Sequence, residues 1–342
     1  MDAKGKNVTI VDVAERAGVS KTTVSRYLNG KFEFMSEESR SHIAAVIETM
    51  GYRPNNLARG LKSKRTRLIG VVIADMTNPY SSVLLKGISD CCERYGYGVL
   101  ITNTDGDPAK ERAYILSMID QHVDGIILNT TGKNLDFLLE RARDAVPIVL
   151  ADRPLEVKLF DTVRSADRPI IYEALRHLKA QGFTQPGLFM EPLENGTRIC
   201  RCNAYQDACR EIFGTLPKVY FVNGQDRAKE LLQQFMEETA EEKRAILTAN
   251  GVATLAVVHA IEELGLHFPE DLGLCGFDNL SWTELVAGGI TVVEQPAYQV
   301  GKECVKRMMI RLYRSPQGAP VHTELACRLI LRHSTERCPR IL

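Results

Sequence analysis

The 342-residue chain has no net charge, 43 Lys+Arg standing against 43 Asp+Glu, so a polyelectrolyte coating nucleic acid or a membrane along its whole length is excluded. It has no stretch approaching 18 consecutive apolar residues, and Met1 to Asn7 is polar with no apolar core before a cleavage site. Neither a membrane span nor a secretory signal is expected, which places the chain in the cytoplasm. Its nine cysteines are odd in number and lack a repeated spacing, which argues for reduced thiols over a disulfide framework. Catalytic signatures are missing too: there is no G-x-G-x-x-G, no G-x-x-x-x-G-K-S/T and no Gly-x-Ser-x-Gly. Cys200-x-Cys202 lacks a second ligand pair at the usual spacing and the seven histidines are dispersed, so neither a metal nor a cofactor is expected.

What is present is ordinary globular composition, 44% hydrophobic and 25% charged, in a length that argues for two or three domains. The zero net charge hides an asymmetry. Residues 1–67 hold 13 Lys+Arg and 7 Asp+Glu, a net of +6, leaving −6 on the other 275. Arg53, Arg59, Lys62, Lys64, Arg65 and Arg67 form a run without any acid. A basic module on an acidic body fits either a polyanion contact at one end or a solvated linker.

Thr9-Ile10-Val11-Asp12 fits a helix start in which the Thr hydroxyl caps an early N–H and Asp12 sits at the positive end of the dipole. Ile10, Val13, Ala14 and Ala17 make one apolar helix face, and Gly18 ends it. Ser20 caps a second helix, Lys21 to Leu28, with Val24 and Leu28 inward. A third starts at Ser36, with Ile43, Val46, Ile47 and Met50 as its stripe and Gly51 as its stop. Two short helices around a Gly-containing turn are the helix-turn-helix pattern. Lys21, Thr22, Ser25 and Arg26 face away from the core near the start of the second helix, where a helix in a major groove reads base edges. The bland alternative is a three-helix bundle with a solvated polar face.

The run from Thr9 to Asn29, TIVDVAERAGVSKTTVSRYLN, closely resembles the lactose-repressor (LacI/GalR) family of bacterial transcription regulators. The match continues through Met50-Gly51-Tyr52-Arg53-Pro54-Asn55 and Leu57-Ala58-Arg59-Gly60-Leu61. The resemblance implies DNA contacts from Thr9, Lys21, Thr22, Ser25, Arg26 and Asn29. It also implies a hinge helix over 56–61 that orders on operator DNA, with Ala58, Arg59, Leu61 and Lys62 at the duplex. Leu61 would wedge into a minor-groove step while Arg59 and Lys62 hold phosphates. The family pairs its subunits, so a homodimer on a pseudopalindromic operator in the bacterial nucleoid is expected.

From Leu68 onward short apolar runs alternate with helical stripes, which implies parallel sheets covered by helices. The expected fold is an all-α helix-turn-helix DNA-binding domain (1–52), a hinge helix and linker (53–67), and a two-lobed α/β effector-binding and dimerisation domain (68–342) like a periplasmic binding protein. The first lobe would take about 68–165 and 297–315, the second about 166–296 and 316–335.

Ligands in such sheets sit beyond the carboxyl ends of strands. With the family likeness, that rule selects Asp75, Asn78, Tyr80, Asn129, Arg153, Arg168, Arg201, Asn250, Asp278 and Trp282 as effector-binding residues. Three positions depart from the family: Arg168 stands for its usual Asn, Ala204 for Gly and Gly251 for Asp. The number of guanidinium groups, Arg153, Arg168 and Arg201, points to an anionic sugar derivative such as a hexonate or keto-sugar acid. If Arg153 and Arg168 instead pair with Asp152 and Asp167, a neutral sugar fits. The leading function is a ligand-controlled repressor of carbohydrate or sugar-acid catabolism. A sugar-binding sensor or carrier and a sugar-active enzyme are the alternatives, disfavoured by the recognition-helix residues and by the missing catalytic set.

Overall fold

The computed structural model describes residues 8–52, 65–141, 146–314 and 318–337, which fall into two compact units dividing at Thr66/Arg67. The first unit is three helices: α1 (Ile10–Arg16), α2 (Lys21–Leu28) and α3 (Glu37–Thr49). Thr9 caps α1 in a full capping box, its N–H donating to Asp12 Oδ2 at 2.7 Å and its Oγ1 accepting from Asp12 N at 3.4 Å. Ser20 and Ser36 cap α2 and α3 through their hydroxyls alone, accepting from Thr23 N and Ser39 N. The helices close on Val13, Ala14, Ala17, Val24, Ile43 and Val46, the stripes expected from the spacing.

In the second unit β1 (Leu68–Ile73), β2 (Gly98–Asn103), β3 (Gly125–Leu128), β4 (Ile148–Ala151), β5 (Asp161–Ser165) and β11 (His322–Leu325) form one sheet, ordered β11-β5-β4-β3-β1-β2. The other sheet, ordered β12-β10-β9-β8-β6-β7, takes β6 (Gln185–Met190), β7 (Lys218–Phe221), β8 (Arg244–Thr248), β9 (Gly273–Phe277), β10 (Thr291–Glu294) and β12 (Arg328–Ile330). All pairings are parallel except β10 with β12. In the first lobe α4 (Pro79–Arg94) and α11 (Ala297–Tyr313) cover one face, α5 (Pro108–Asp120) and α6 (Leu135–Arg141) the other. In the second, α7 (Asp167–Ala180) and α8 (Gly196–Ala208) lie opposite α9 (Gln225–Glu238) and α10 (Gly251–Glu263).

Helices α4 and α11 approach so closely that a Cβ on Gly87 would lie 2.1 Å from Tyr298 O, and one on Gly301 2.3 Å from Leu84 O. Glycine at both positions lets backbone meet backbone.

The chain passes between the lobes three times: after β5, between β10 and α11, and between β11 and β12. The expected division gave 316–335 wholly to the second lobe, and this is corrected here. Strand β11 pairs with β5, His322 opposite Thr162 through Leu325 opposite Ser165, and only β12 joins the second sheet. Both strands are short and half-exposed, so their pattern carries no strong signal.

Candidate functional site

On α2 the structure leaves Lys21, Thr22 and Arg26 exposed and Ser25 half-exposed, while Val24 is fully buried opposite them. The helix therefore offers a polar edge whose donors are not consumed by the fold. Thr9 and Asn29 have structural duties: Thr9 closes the capping box, and Asn29 Nδ2 donates to Ser25 O at 2.7 Å at the end of α2. Ala58, Arg59, Leu61 and Lys62 lie outside the described residues.

Between the two lobes, at the carboxyl ends of their strands, lies a cavity of about 460 Å³. Six of the ten expected effector residues line it: Asp75, Asn78, Tyr80, Arg153, Arg201 and Asn250. Asp75 follows β1 and accepts from Thr77 N at 2.8 Å; Asn78 caps α4 by accepting from Tyr80 N at 3.0 Å. This cap turns the Tyr80 ring inward, where it is 8% exposed and its hydroxyl, near the Asp152 carboxyl, has no partner at ordinary hydrogen-bond distance among the described residues.

Asp152, just past β4, is held at φ +67°. Its backbone carbonyl accepts from Thr197 Oγ1 across the lobes at 3.0 Å, while its Oδ1 is buried without a partner. Burial pushes its carboxyl up to about 6; Arg201 opposes the shift and Asp167 reinforces it. Tyr80 is likewise held well above its usual value by burial, with the Asp152 charge adding to it. Two adjoining polar groups thus sit at the cleft wall, the Tyr80 hydroxyl favouring the Asp152 charge, and among the described residues neither that hydroxyl nor Asp152 Oδ1 has a partner at ordinary hydrogen-bond distance.

Arg201 is almost fully enclosed. Its Nε donates to Asp167 Oδ1 at 2.8 Å, Nη1 to Ala249 O at 2.6 Å and Nη2 to Gln295 Oε1 at 2.5 Å, and its Cζ lies 4.1 Å from the Phe277 ring centroid. Burial works against its charge, but Asp167, Asp152 and Asp278 together raise its pKa above the usual arginine range. Gln295 Nε2 continues the chain to Asp278 Oδ1 at 2.6 Å, and Asp278 Oδ2 accepts from Gly251 N at 2.9 Å. Arg201 is therefore a fastener joining α7, α8, the end of β8 and the β10–α11 crossover.

Arg153 is different. Its Nη1 donates to Thr130 O at 3.1 Å and, among the described residues, it forms no ion pair with a carboxylate. Burial lowers its pKa, with Asp152 opposing. The expected alternative of an Arg153–Asp152 bridge is not realised.

Four expected residues do not line the cleft. Arg168 points away from it, pairing with Asp207 Oδ2 at 2.8 Å and with the Tyr172 hydroxyl at 2.9 Å on an exposed face. Asp167 turns inward to Arg201 and its neighbour on α7 therefore turns out. Asn129 is spent on backbone, accepting from Ala74 N at 3.4 Å and donating to Ala151 O at 3.0 Å, which ties together the ends of β1, β3 and β4. Asp278 lies behind the wall in the Gln295 network. Trp282 packs against the second-lobe core beneath α9 and α10.

Gly251 also has a local reason: a Cβ there would lie 2.9 Å from Leu280 Cδ1 and 3.3 Å from Asp278 Oδ2. Asp278 thus reaches the N–H of Gly251 at a position where a side chain would have to displace the end of Leu280 and would crowd the Asp278 carboxylate.

Further lining comes from Lys133, Glu191, Asn195, Thr197, Arg198 and Gln295, which were not expected. Arg198 pairs with Glu191 Oε2 at 2.6 Å, and Lys133 with Glu194 at 3.7 Å. A signal for several of them existed: Glu191 follows the β6 run directly, and Asn195 caps α8 three residues before Arg198.

Residues 9–55 match the model of the bacterial regulatory proteins, lacI family, and residues 66–326 that of the periplasmic binding proteins and sugar-binding domain of the LacI family. The chain belongs to the LacI family of bacterial transcription regulators. Among LacI-family relatives, it is 40% identical over 332 residues to the HTH-type transcriptional regulator KdgR of Bacillus subtilis, covering 96% of this chain and 98% of that one. The HTH-type transcriptional regulator PtxS of Pseudomonas putida is 37% identical over 332 residues, with 97% of each chain covered. In fold, the chain matches a lac repressor dimer bound to operator and the anti-inducer ONPF, with a TM-score of 0.83 at 23% identity over 96% of this chain and 99% of that one. Among the described residues no helix is long and apolar enough to cross a membrane.

Proposed function

We propose that this LacI-family regulator acts in the cytoplasm as a homodimer on a pseudopalindromic operator, and that an anionic sugar derivative in the inter-lobe cleft controls it without being chemically changed. The exposed Lys21, Thr22 and Arg26 support base reading, since Arg and Thr on the first turns of a recognition helix match guanine and mixed base edges. Two-fold symmetry follows from affinity, because one small module offers few contacts and a second copy doubles them.

One observation carries the effector class: Arg153 brings a guanidinium to the cleft wall with, among the described residues, no carboxylate at ion-pair distance, although Asp152, Glu191 and Asp75 lie near enough to favour its charge. A half-buried cation without an anion is costly, and a planar fork suits a carboxylate. The ligand's carboxylate would meet Arg153, while its hydroxyls meet Tyr80, Asp152 and Asn250; Arg198 and Lys133 are already paired with Glu191 and Glu194 at the same wall. Filling the cleft draws the lobes together and biases the equilibrium between states of different operator affinity.

Calorimetry with an aldonate or keto-aldonate against its neutral sugar tests the class. Arg153→Ala is expected to weaken acid binding by about 2–5 kcal/mol, and Arg168→Ala, outside the cleft, to leave it unchanged. Binding of the neutral member alone, or full affinity in Arg153→Ala, removes the proposal.

A further inference from the structure

After α2 and three intervening residues the chain makes a 3-10 turn, Phe32–Phe34, whose two rings have opposite fates. Phe32 is half-buried, meeting Tyr27 edge-on with centroids 5.9 Å apart and carrying the Arg40 guanidinium 4.0 Å above its own. Phe34 is 70% exposed, yet the Arg26 Cζ lies 5.4 Å from its ring centroid. The turn is tied to the end of α2 by Lys31 N donating to Arg26 O at 3.0 Å and is closed by Met35 N donating to Phe32 O at 3.0 Å. Phe34 is thus mounted on a short, hydrogen-bonded support beside the polar edge of α2.

We propose that Phe34 is a positioning residue for sequence reading: its ring holds the Arg26 guanidinium on the edge of α2 that meets DNA. This rests on the assignment of Arg26 to a base edge. A guanidinium offers an aromatic ring its flat face, whereas its hydrogen bonds leave in its own plane. A contact over the face of Phe34 at 5.4 Å therefore leaves the N–H pair that matches guanine O6 and N7 free to meet the base. A long side chain that reads a base must give up its rotamer freedom, and one already held over an aromatic ring has given up part of it before DNA arrives. The exposed ring acts as a guide for a cation, and its contribution falls on discrimination between sequences because only the base contact depends on where the fork points.

The test uses the full chain and two duplexes, one enriched from a random pool by the unsubstituted protein and one scrambled. Phe34→Leu keeps apolar bulk and removes the ring, Phe34→Tyr keeps the ring, and each is made alone and with Arg26→Ala. An exposed cation–π contact corresponds to a fall in the enriched-to-scrambled affinity ratio of about two- to fivefold for Phe34→Leu. The ratio should stay near its original value in Phe34→Tyr, and Phe34→Leu should cause no further fall when Arg26 is already alanine. Equal losses on both duplexes, the same loss in the Arg26→Ala background, or a gain in affinity for the enriched duplex would overturn the proposal, the last because the ring would be withholding the arginine. The two levels separate cleanly. If Arg26→Ala keeps the ratio, the base assignment fails and this inference with it; if Arg26→Ala loses the ratio and Phe34→Leu keeps it, this inference fails alone. An unchanged thermal midpoint, expected for so exposed a side chain, confirms that the fold is intact.

Discussion

Asp152→Asn should remove a pH dependence that one buried carboxyl imposes on the whole effector domain. In the folded chain burial raises this group from its ordinary value of 3.8 to about 6. A difference of roughly 2 units is worth about 3 kcal/mol at 1.36 kcal/mol per unit. The sign follows from proton counting. Between about pH 4 and pH 6 the folded chain keeps a proton that the unfolded chain has released, so folding stability falls as pH rises through this window and levels off above it. Other carboxylates work in the opposite direction: Asp90, Glu238 and Glu294 are held low by their partners and lose stability as pH falls. The informative quantity is therefore the difference between the original chain and Asp152→Asn in urea unfolding at several pH values. That difference should move by up to about 3 kcal/mol in favour of the variant between about pH 4 and pH 7. A ligand hydroxyl donating to Asp152 would favour the carboxylate, so effector binding should release a proton near pH 6 and tighten as pH rises through that value. A pH-independent difference would refute the claim that the Asp152 proton is retained on folding.

Arg201→Ala should cost about 3–5 kcal/mol in chemical denaturation because it removes the close partner of buried Asp167 and leaves it only Arg164 at 4.0 Å; replacing both Arg201 and Asp167 by apolar residues of similar volume should restore much of the loss. Gly87→Ala forces a Cβ into the Tyr298 carbonyl and should cost about 1–3 kcal/mol or more, read as a lower Tm of the second unit. Thr9→Ala, which removes the capping-box oxygen of α1, should destabilise the helix-turn-helix unit by about 0.5–2 kcal/mol in far-UV thermal melts. Operator affinity should fall with the folded fraction and return when the temperature is lowered.

Much of the architecture was legible because it is written in short-range chemistry. The caps at Thr9, Ser20 and Ser36, the stripe from Val13 to Val46 and the alternation of β-runs with helical segments each depend on neighbours a few residues away. For the same reason the exposed edge of α2 could be named in advance: a helix this short, packed through Val24, leaves Lys21, Thr22 and Arg26 on the other side whatever else the chain does.

The cleft was legible only in part. The strand-end rule brought Asp75, Asn78, Tyr80, Arg153, Arg201 and Asn250 to one cavity, because parallel strands place all their carboxyl ends on one edge. That rule locates a residue without stating what its polar atoms already hold. Asn129, equally well placed, is spent on the carbonyl of Ala151 and the N–H of Ala74, whereas the Tyr80 hydroxyl and Asp152 Oδ1 meet no partner at ordinary hydrogen-bond distance among the described residues. Which groups remain available depends on partners brought together from distant parts of the chain, and no local pattern encodes them. Arg168 and Arg201 make the same point in the rotation of a helix: two arginines alike in sequence differ because Asp167 turns inward on α7 and carries its neighbour out to Asp207. The sequence by itself determined the helix caps, the recognition-helix face and the βα alternation, through contacts within a turn or a strand. Only the tertiary structure decided that the third passage, expected near residue 315, falls between β11 and β12, and which cleft groups are fasteners, because both depend on pairings between distant residues as well as nearer ones.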